Sequence, residues 1–230
     1  MGINPRINEV LAETLKIELA RRDPWIFITE YCLTDKYQEN KGMVEVVPIK
    51  MPNYPYLKRI IRHICRNKKI AIPKSRRLLV TWVVLCYCLW YALNHNNASI
   101  YIQKIKEDDA GFADPNESLC AKIMKVYERL PKALKQSVDP GITKKPPVIS
   151  FKDTFSTIVG VAEGPDQVRG KGASIIVIDE MSMLDPTKNR AMLKTILPIV
   201  DAGAKLICIS TPRGQEVFYE VCHGLEVEKR

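Results

Sequence analysis

The chain has 230 residues, 46% of them hydrophobic, which is enough for the core of one large domain or of one domain with a small appendage. Its formal net charge of +9 favours an anionic partner: a nucleic acid, a nucleotide or a membrane surface. The odd number of cysteines, seven, argues against a complete disulfide framework. None of them forms a CxxC pair and there are only three histidines, which argues against a zinc site. The pattern favours free thiols in a reducing cytoplasm.

The N-terminal part of the chain predicts helices and one strand. Apolar residues recur at helical spacing from Ile7 to Arg22, and a second, short helix is expected to start near Pro24. Residues 42–56 combine a β-like run with three prolines, which indicates a strand or sheet edge followed by a loop. Residues 56–69 predict a helix with an apolar face and a basic face, and we interpret the basic face as solvated rather than as a groove for DNA.

The stretch from Leu78 to Leu93 is sixteen residues long and carries no charge. As a helix it would be roughly 24 Å long at about 1.5 Å per residue, which is shorter than the ~30 Å hydrocarbon core of a bilayer. We therefore interpret it as a helix buried beside a sheet, and we expect no membrane partner.

From Lys69 onward, short apolar strands alternate with helices. Strands are predicted at Ile70–Ile72, Ala98–Gln103, Ser174–Glu180 and in the segment 204–214, and residues 148–163 predict a hairpin or two short strands. Almost purely apolar strands separated by helices favour an α/β fold with a mostly parallel sheet covered on both faces.

Polar residues follow three of these strands directly. The first strand runs into a basic loop, Lys74–Arg77; the second into Asp179 and Glu180; and the third into Ser210–Pro212. Ligands bind at the carboxyl ends of the strands of an open parallel sheet, so these residues are expected to meet there. Together they are the components of a P-loop ATPase.

The basic loop is expected to bind phosphate, because a helix N-terminus offers unpaired N–H groups and a partial positive charge. Lys74 would add a mobile point charge, and Arg76 or Arg77 a forked donor. The loop nevertheless lacks glycine, and Val80 stands where such loops place a lysine. A basic turn before a helix is also common as a solvated corner.

The two acids predict a magnesium site and a general base. Asp179 would hold Mg²⁺ through water, with the hydroxyl of Thr81, one turn inside the helix, as a further ligand. Glu180 would orient and deprotonate the attacking water. The plainer alternative is that Asp179 caps a following helix.

These motifs, in this order, resemble the ATPase portion of the large terminase of tailed phages, the motor that drives viral DNA into a procapsid. "KSRRLLVT", Lys74–Thr81, resembles a deviant Walker A loop in which the lysine stands first. "IIVIDE" resembles the Walker B motif with its catalytic glutamate, and "STPRG", Ser210–Gly214, resembles the coupling motif that links hydrolysis to motion. The resemblance covers roughly Pro24–Tyr219.

The resemblance implies a three-layer P-loop NTPase fold of the ASCE, RecA-like type, with an N-terminal helical segment on the adenine side at 1–50 and an ATPase core at 51–230. It implies ATP and Mg²⁺ as cofactors. The residues implied are Lys74, Ser75, Arg76, Arg77, Thr81 and Asp179 for the nucleotide, Thr81 and Asp179 for the metal, Glu180, Arg76 and Arg77 for catalysis, Ser210, Thr211 and Pro212 for coupling, and Arg169 for a phosphate, DNA or a neighbouring subunit.

The implied partners are double-stranded DNA, the portal protein, a small terminase subunit and further copies of the chain in a homo-oligomeric ring. The implied location is the host cytoplasm and, transiently, the procapsid portal. The chain ends about sixteen residues after the coupling motif, so the lid and the nuclease domain of the family, and hence DNA cutting, are not expected in it.

One departure from the family pattern concerns Leu79, which stands where family loops usually keep a glycine. A bulky residue there is expected to keep the loop out of the left-handed backbone region, or to leave the loop partly degenerate. The alternatives are therefore a non-catalytic or truncated ATPase-fold module that binds DNA or the portal, and a helicase-type ATPase. The latter requires a second RecA-like domain, for which 230 residues leave no room.

Overall fold

The computed structural model describes residues 5–40, 43–214 and 216–224. The helices in this part of the chain are α1 Pro5–Arg22, α2 Pro24–Tyr31, α3 Pro55–Arg66, α4 Val80–Asn94, α5 Glu107–Ala110, α6 Leu119–Glu128, α7 Pro186–Asp201 and α8 Val217–Cys222. The strands are β1 Leu33–Asn40, β2 Met43–Lys50, β3 Lys69–Pro73, β4 Ser99–Gln103, β5 Gly141–Lys144, β6 Pro147–Phe151, β7 Ser156–Val161, β8 Ile175–Asp179 and β9 Lys205–Ser210.

A seven-stranded sheet in the order β3-β9-β8-β4-β7-β6-β5 forms the centre of the molecule. The first five strands in that order run parallel, whereas β6 pairs antiparallel with both β7 and β5. Apolar side chains of α1–α4 and α6 pack on one face of this sheet, and those of α7 and α8 pack on the other. The predicted α/β fold, with a mostly parallel sheet between helical layers, is confirmed.

Helix α4 is deeply buried, with ten of its fifteen residues shielded from solvent. Apolar side chains on nearly every side of a helix are typical of one enclosed by protein rather than of an amphipathic surface helix. Within the described residues, none of the helices has both the length and the apolar character needed to cross a bilayer. The interpretation of residues 78–93 as a buried helix therefore agrees with the structure.

The parallel register brings the carboxyl ends of three strands together. Pro73, at the end of β3, lies opposite Ser210, at the end of β9, and Asp179, at the end of β8, lies opposite Ile209. Adjacent strands are about 4.8 Å apart, so residues that follow these ends share one small region at one edge of the sheet.

A separate two-stranded hairpin, β1–β2, projects from the N-terminal part of the chain. Asp35 on β1 anchors the hairpin to α6: its carboxylate accepts hydrogen bonds from Lys125, at 2.7 Å, and from Arg129, at 2.9 Å. Strand β2 was predicted, whereas β1 and the exposed edge strand β5 were not. Both are polar, and polar strands lack the apolar alternation on which such a prediction depends.

Candidate nucleotide site

The basic loop between β3 and α4 turns through the left-handed region of the backbone twice. Arg77 has φ of 63° and Leu79 has φ of 56°, and Leu79 immediately precedes the first residue of α4. The expectation that bulky Leu79 keeps the loop out of this region is therefore wrong. The loop adopts the backbone that glycine usually supplies, at a steric cost of about 1–2 kcal/mol per residue.

Two contacts hold the end of this loop that adjoins α4. The hydroxyl of Tyr56 donates a hydrogen bond to the carbonyl oxygen of Leu78 at 3.1 Å. The Leu79 side chain is half-buried and packs against the main apolar core. Packing and a bond to the backbone therefore offset the strain of the left-handed residues.

Thr81 and Asp179 come together directly. Thr81 is the second residue of α4, so the expectation that it lies one turn inside the helix is wrong; it belongs to the first turn. Its hydroxyl donates a hydrogen bond to Asp179 Oδ1 at 3.1 Å. The start of α4 and the end of β8 are thereby joined.

Asp179 is a buried carboxylate, only 3% exposed. Burial raises its pKa above the usual aspartate value; Lys104 and Lys74 act in the opposite direction, and the neighbouring charge of Glu180 adds to the rise. The carboxylate is therefore under-compensated, which is the electrostatic condition in which a bound cation is favourable.

Glu180 is half-buried and has φ of 56°, so the chain reverses sharply between β8 and the short 3₁₀ turn Met181–Met183. Two buried polar side chains, Ser210 and Asn189, hold this turn in place through hydrogen bonds. The backbone N–H of Ser182 donates to Ser210 Oγ at 2.9 Å, and Asn189 Nδ2 on α7 donates to the Met181 carbonyl at 3.2 Å. These bonds fix the direction in which the Glu180 side chain leaves the sheet.

Ser210, at the end of β9 and only 1% exposed, is hydrogen-bonded to the segments that follow β3 and β8. Its carbonyl oxygen accepts a hydrogen bond from the backbone N–H of Lys74 at 2.9 Å, while its hydroxyl accepts the bond from Ser182. The basic loop, the Glu180 turn and the end of β9 are thus connected through a single residue. A displacement of β9 would act on both neighbours.

A cavity of about 770 Å³ opens beside the loop, within the usual size range of small-molecule sites. Three parts of the chain line it: the loop and the start of α4 (Lys74, Arg77–Trp82), the hairpin (Asp35, Lys36), and the first turn of α6 with the residues before it (Asn116, Glu117, Lys122). The Lys122 ammonium lies 5.7 Å from the centre of the Trp82 ring. Asp179 and Glu180 do not line this cavity; Thr81, which does, bonds to Asp179.

Four of the other residues predicted for the site are exposed. Ser75 and Arg76 lie at the outside of the loop and do not line the cavity, and Pro212 is exposed beyond the end of β9, next to half-buried Thr211. Arg169 is also exposed, with 66% of its side chain accessible, and it pairs with Asp166 at 3.1 Å. The structure therefore gathers Lys74, Arg77, Thr81, Asp179, Glu180 and Ser210. It leaves Ser75, Arg76, Arg169 and Pro212 at the surface and Thr211 half-buried.

Three residues near the site, Lys104, Ser182 and Asn189, were not predicted from the sequence. Lys104 follows β4 as directly as Lys74 follows β3, so the same strand-end reasoning would have found it. Ser182 and Asn189 carry no sequence signal, because their role depends on the fold of the turn after Glu180.

The oxygen donors at this point fit Mg²⁺, which favours oxygen ligands and keeps much of its water. The buried, under-compensated carboxylate of Asp179 and the hydroxyl of Thr81, a residue that lines the cavity, suit such an ion. The described residues, those of this site included, hold no group of three or more histidine, cysteine or acidic side chains placed to bind a metal.

No protein-family model matches the chain. Among solved structures, it is similar to the large terminase of bacteriophage HK97, with a TM-score of 0.61 and 14% identity over 83% of this chain and 37% of that chain. It is also similar to the large terminase ATPase domain of Thermus phage P74-26, with a TM-score of 0.57 and 18% identity over 74% of this chain and 68% of that one. A mutant of that domain gives a TM-score of 0.58 and 17% identity, covering 74% and 69%. These similarities show that the chain shares the α/β fold of the matched phage terminase structures.

Proposed function

We propose that this chain is the ATPase part of a phage large terminase, which hydrolyses ATP to move double-stranded DNA into a procapsid. One observation carries the proposal: Lys74, Thr81 and Asp179, from three different elements, meet at the carboxyl edge of a parallel sheet beside a cavity of about 770 Å³. This is the edge at which open α/β sheets bind ligands. The fold similarity to two phage terminases supports the same conclusion.

The loop and the first turn of α4 would bind the phosphate groups of ATP. The unpaired N–H groups at the start of a 15-residue helix favour an anion, and the left-handed residues Arg77 and Leu79 shape the loop around it. Lys74 and Arg77 both line the cavity and would add positive charge. The hairpin and the start of α6 would enclose the base. For the hairpin, which lies within residues 1–50, this is the adenine-side role that the resemblance implies.

Thr81 and Asp179 would hold Mg²⁺, which when bound would offset negative charge on the phosphates. Glu180, placed next to Asp179 on the sharp turn, would accept a proton from the attacking water. The water oxygen bonds to the terminal phosphorus, the bond from that phosphorus to the β-phosphate oxygen breaks, and ADP leaves. This role assigns Glu180 as the general base.

Ser210 would carry the coupling between hydrolysis and motion. Ser210 bonds both to the Lys74 backbone and to the Glu180 turn. If either of these moves when the terminal phosphate is lost, the movement would be transmitted to β9 and to the following Thr211–Pro212 segment. That segment leads to α8, on the face of the sheet opposite α4.

Exposed Arg169 would contact a phosphate, DNA or a neighbouring subunit. Its pairing with Asp166, four-fifths exposed in the same turn, is weak, so the guanidinium is available to a phosphate, to DNA or to a neighbouring subunit in a ring. The remaining proposed partners are the portal protein and a small terminase subunit, in the host cytoplasm and at the procapsid portal.

Mg²⁺-dependent ATP hydrolysis by this chain tests the proposal. Lys74→Ala should weaken ATP binding by about tenfold or more, because it removes a charge-assisted contact. Glu180→Gln should leave binding unchanged and lower turnover by about 100-fold or more, since general-base catalysis contributes at least that much. Exposed Lys68 and Glu128 provide matched controls as Lys68→Ala and Glu128→Gln.

The outcomes separate the alternatives. A wild-type chain that neither binds nor hydrolyses ATP supports the non-catalytic module and overturns the proposal. Turnover stimulated by double-stranded DNA without strand separation distinguishes a packaging ATPase from a helicase.

A further inference from the structure

Lys104 stands at the end of β4, beside the end of β8. In the parallel ladder of these strands, Gln103 lies opposite Ile178, so the next residue on each strand brings Lys104 opposite Asp179. The N–H of Lys104 continues the ladder on the other side by donating to the Val161 carbonyl at 3.2 Å. The backbone of Lys104 is therefore held as an extension of the strand, about 4.8 Å from β8.

The alternation of side chains places Lys104 on the same face of the sheet as Asp179. Ile100 and Ile102 of β4 pack in the core that contains α4, whereas Tyr101 packs in the core on the other face. Lys104 follows Ile102 by two positions and so continues on the α4 side. Asp179 follows Val177, which packs in the same core, and Thr81 of α4 bonds to it.

Lys104 approaches Asp179 without pairing with it. Among the cations that act on the Asp179 carboxylate, Lys104 has a stronger effect than Lys74, so its ammonium lies within electrostatic range. Within the described residues, however, no ion pair joins Lys104 to Asp179 or to any other carboxylate, and the side-chain bond to Asp179 comes from Thr81. A lysine that served only as a counter-charge would be expected to contact the carboxylate.

We propose, on the basis of the function proposed above, that Lys104 is a further phosphate-binding residue, which contacts the terminal phosphate of ATP from the β4 side. Lys74 comes from β3 and Lys104 from β4, which lie on opposite sides of β8 in the sheet. A nucleotide whose base lies in the cavity and whose phosphates follow the loop has its terminal phosphate nearest to β8. The two lysines therefore flank that phosphate, and Lys104 lies on the side of Asp179 and Glu180.

This placement predicts a difference between ATP and ADP. ADP lacks the group that Lys104 contacts, so Lys104 should contribute to the affinity for the triphosphate and not to that for the diphosphate. A lysine that only stabilises the fold, or only balances Asp179, would change the affinity for both ligands to a similar extent. The ratio of the two affinities is therefore the informative quantity.

The test is equilibrium binding of the non-hydrolysable analogue AMP-PNP and of ADP, each with Mg²⁺, to the wild-type chain and to Lys104→Ala. We expect the Kd for AMP-PNP to rise about tenfold, as for one lost charge-assisted contact, and the Kd for ADP to stay within about twofold. Lys104→Arg, which keeps the charge, should retain most of the wild-type preference. Lys106→Ala removes the same charge at an exposed position two residues further on and should change neither value.

The outcomes distinguish this inference from the proposed function. A wild-type chain that binds neither ligand overturns both. A wild-type chain that binds both, with Lys104→Ala weakening them equally or not at all, overturns the role of Lys104 and leaves the proposed function in place. If Lys104→Ala does not fold, as judged by its thermal unfolding curve, Lys104→Gln replaces it in the same measurement.

Discussion

Several residues of the candidate site have a backbone conformation or a buried charge that lowers the stability of the folded protein. Leu79 and Glu180 both occupy the left-handed region, with φ of 56° each, and Asp179 is buried without a full counter-charge. Strain and unpaired charge concentrate at functional sites, because the surrounding structure keeps them there for binding or chemistry. The following substitutions measure these costs.

At Leu79, glycine should be better tolerated than alanine. Both substitutions remove the half-buried side chain, but only glycine adopts a positive φ without steric cost. We expect Leu79→Gly to be more stable than Leu79→Ala by about 1 kcal/mol in urea unfolding. At exposed Ala191, inside α7, glycine should instead cost about 1 kcal/mol relative to the native alanine. Equal or reversed stabilities at Leu79 would contradict the left-handed geometry.

Asp179→Asn should stabilise the nucleotide-free protein at neutral pH. A raised pKa means that the folded state holds this proton more tightly than the unfolded state, so stability falls as pH rises from the usual aspartate value through the raised one. The variant, which cannot ionise, escapes that loss while its amide oxygen can still accept the bond from Thr81. Each kcal/mol gained corresponds to a rise in Tm of about 2–4 °C for a chain of this size.

The measurement is thermal unfolding from acidic to neutral pH, without and with Mg²⁺ and ATP. The advantage of the variant should grow with pH in the absence of ligand, and stabilisation by Mg²⁺ and ATP should disappear. Asp139→Asn, at an exposed site, should behave as wild type. A variant that is less stable than wild type at pH 7 would show that the carboxylate is well compensated.

At the scale of elements, the hairpin β1–β2 depends on one carboxylate. Asp35 has only 5% of its side chain exposed, and it bonds to Lys125 and Arg129 on α6. Burial acts to raise its pKa, but the two cations outweigh burial and lower it below the usual value. The pKa of Asp35 is therefore shifted in the opposite direction to that of Asp179.

Asp35→Asn should destabilise the protein by about 1–3 kcal/mol at neutral pH, as for a lost charged hydrogen bond. Because the folded-state pKa is lowered, the contribution of Asp35 is present above the usual aspartate pKa and is lost as pH falls through the lowered value. Urea unfolding at a series of pH values should therefore show the difference from wild type shrinking in acid. A pH-independent difference would indicate a loss of packing instead.

Elements with a strong apolar pattern could be predicted from the sequence, whereas those stabilised by tertiary contacts could not. The runs that form β8 and β9 are almost purely apolar and are flanked by polar residues, so both the strands and their carboxyl-end residues could be identified. Strand β1, "LTDKYQEN", has no such pattern and is stabilised by its pairing with β2 and by the ion pairs of Asp35. Within the site, residue types at strand ends were predictable, but the left-handed backbone of Leu79 was not, since propensity argues against it.

At the scale of the whole molecule, the exposure of the cysteines shows how completely the two apolar cores, one on each face of the sheet, are shielded from solvent. All seven are free; five are buried, Cys222 is intermediate and Cys65 is exposed. Burial raises the pKa of Cys120 and of Cys208 to about 12, so neither forms a reactive thiolate at neutral pH.

A thiol reagent at pH 8 should therefore label Cys65 first and Cys222 second in the native protein, and all seven only after unfolding. Cys65→Ser should remove the fastest phase, while Cys208→Ser should leave the native labelling pattern unchanged. Mass spectrometry of the labelled peptides makes the assignment. Rapid native labelling of Cys86 or Cys88 would mean that α4 is not enclosed as described.

The enclosure of α4 also has a consequence for how the chain reaches its native state during biosynthesis. Valine, threonine, cysteine and aromatic residues make up most of this helix, and these residues have only modest intrinsic helix propensity. Its stability as a helix therefore depends on the sheet, two of whose strands, β8 and β9, are synthesised much later. Until those strands pair, the segment remains an uncharged apolar surface that can associate with other chains. The yield of renatured protein should consequently fall as its concentration rises, and chaperones that shield apolar segments should raise it.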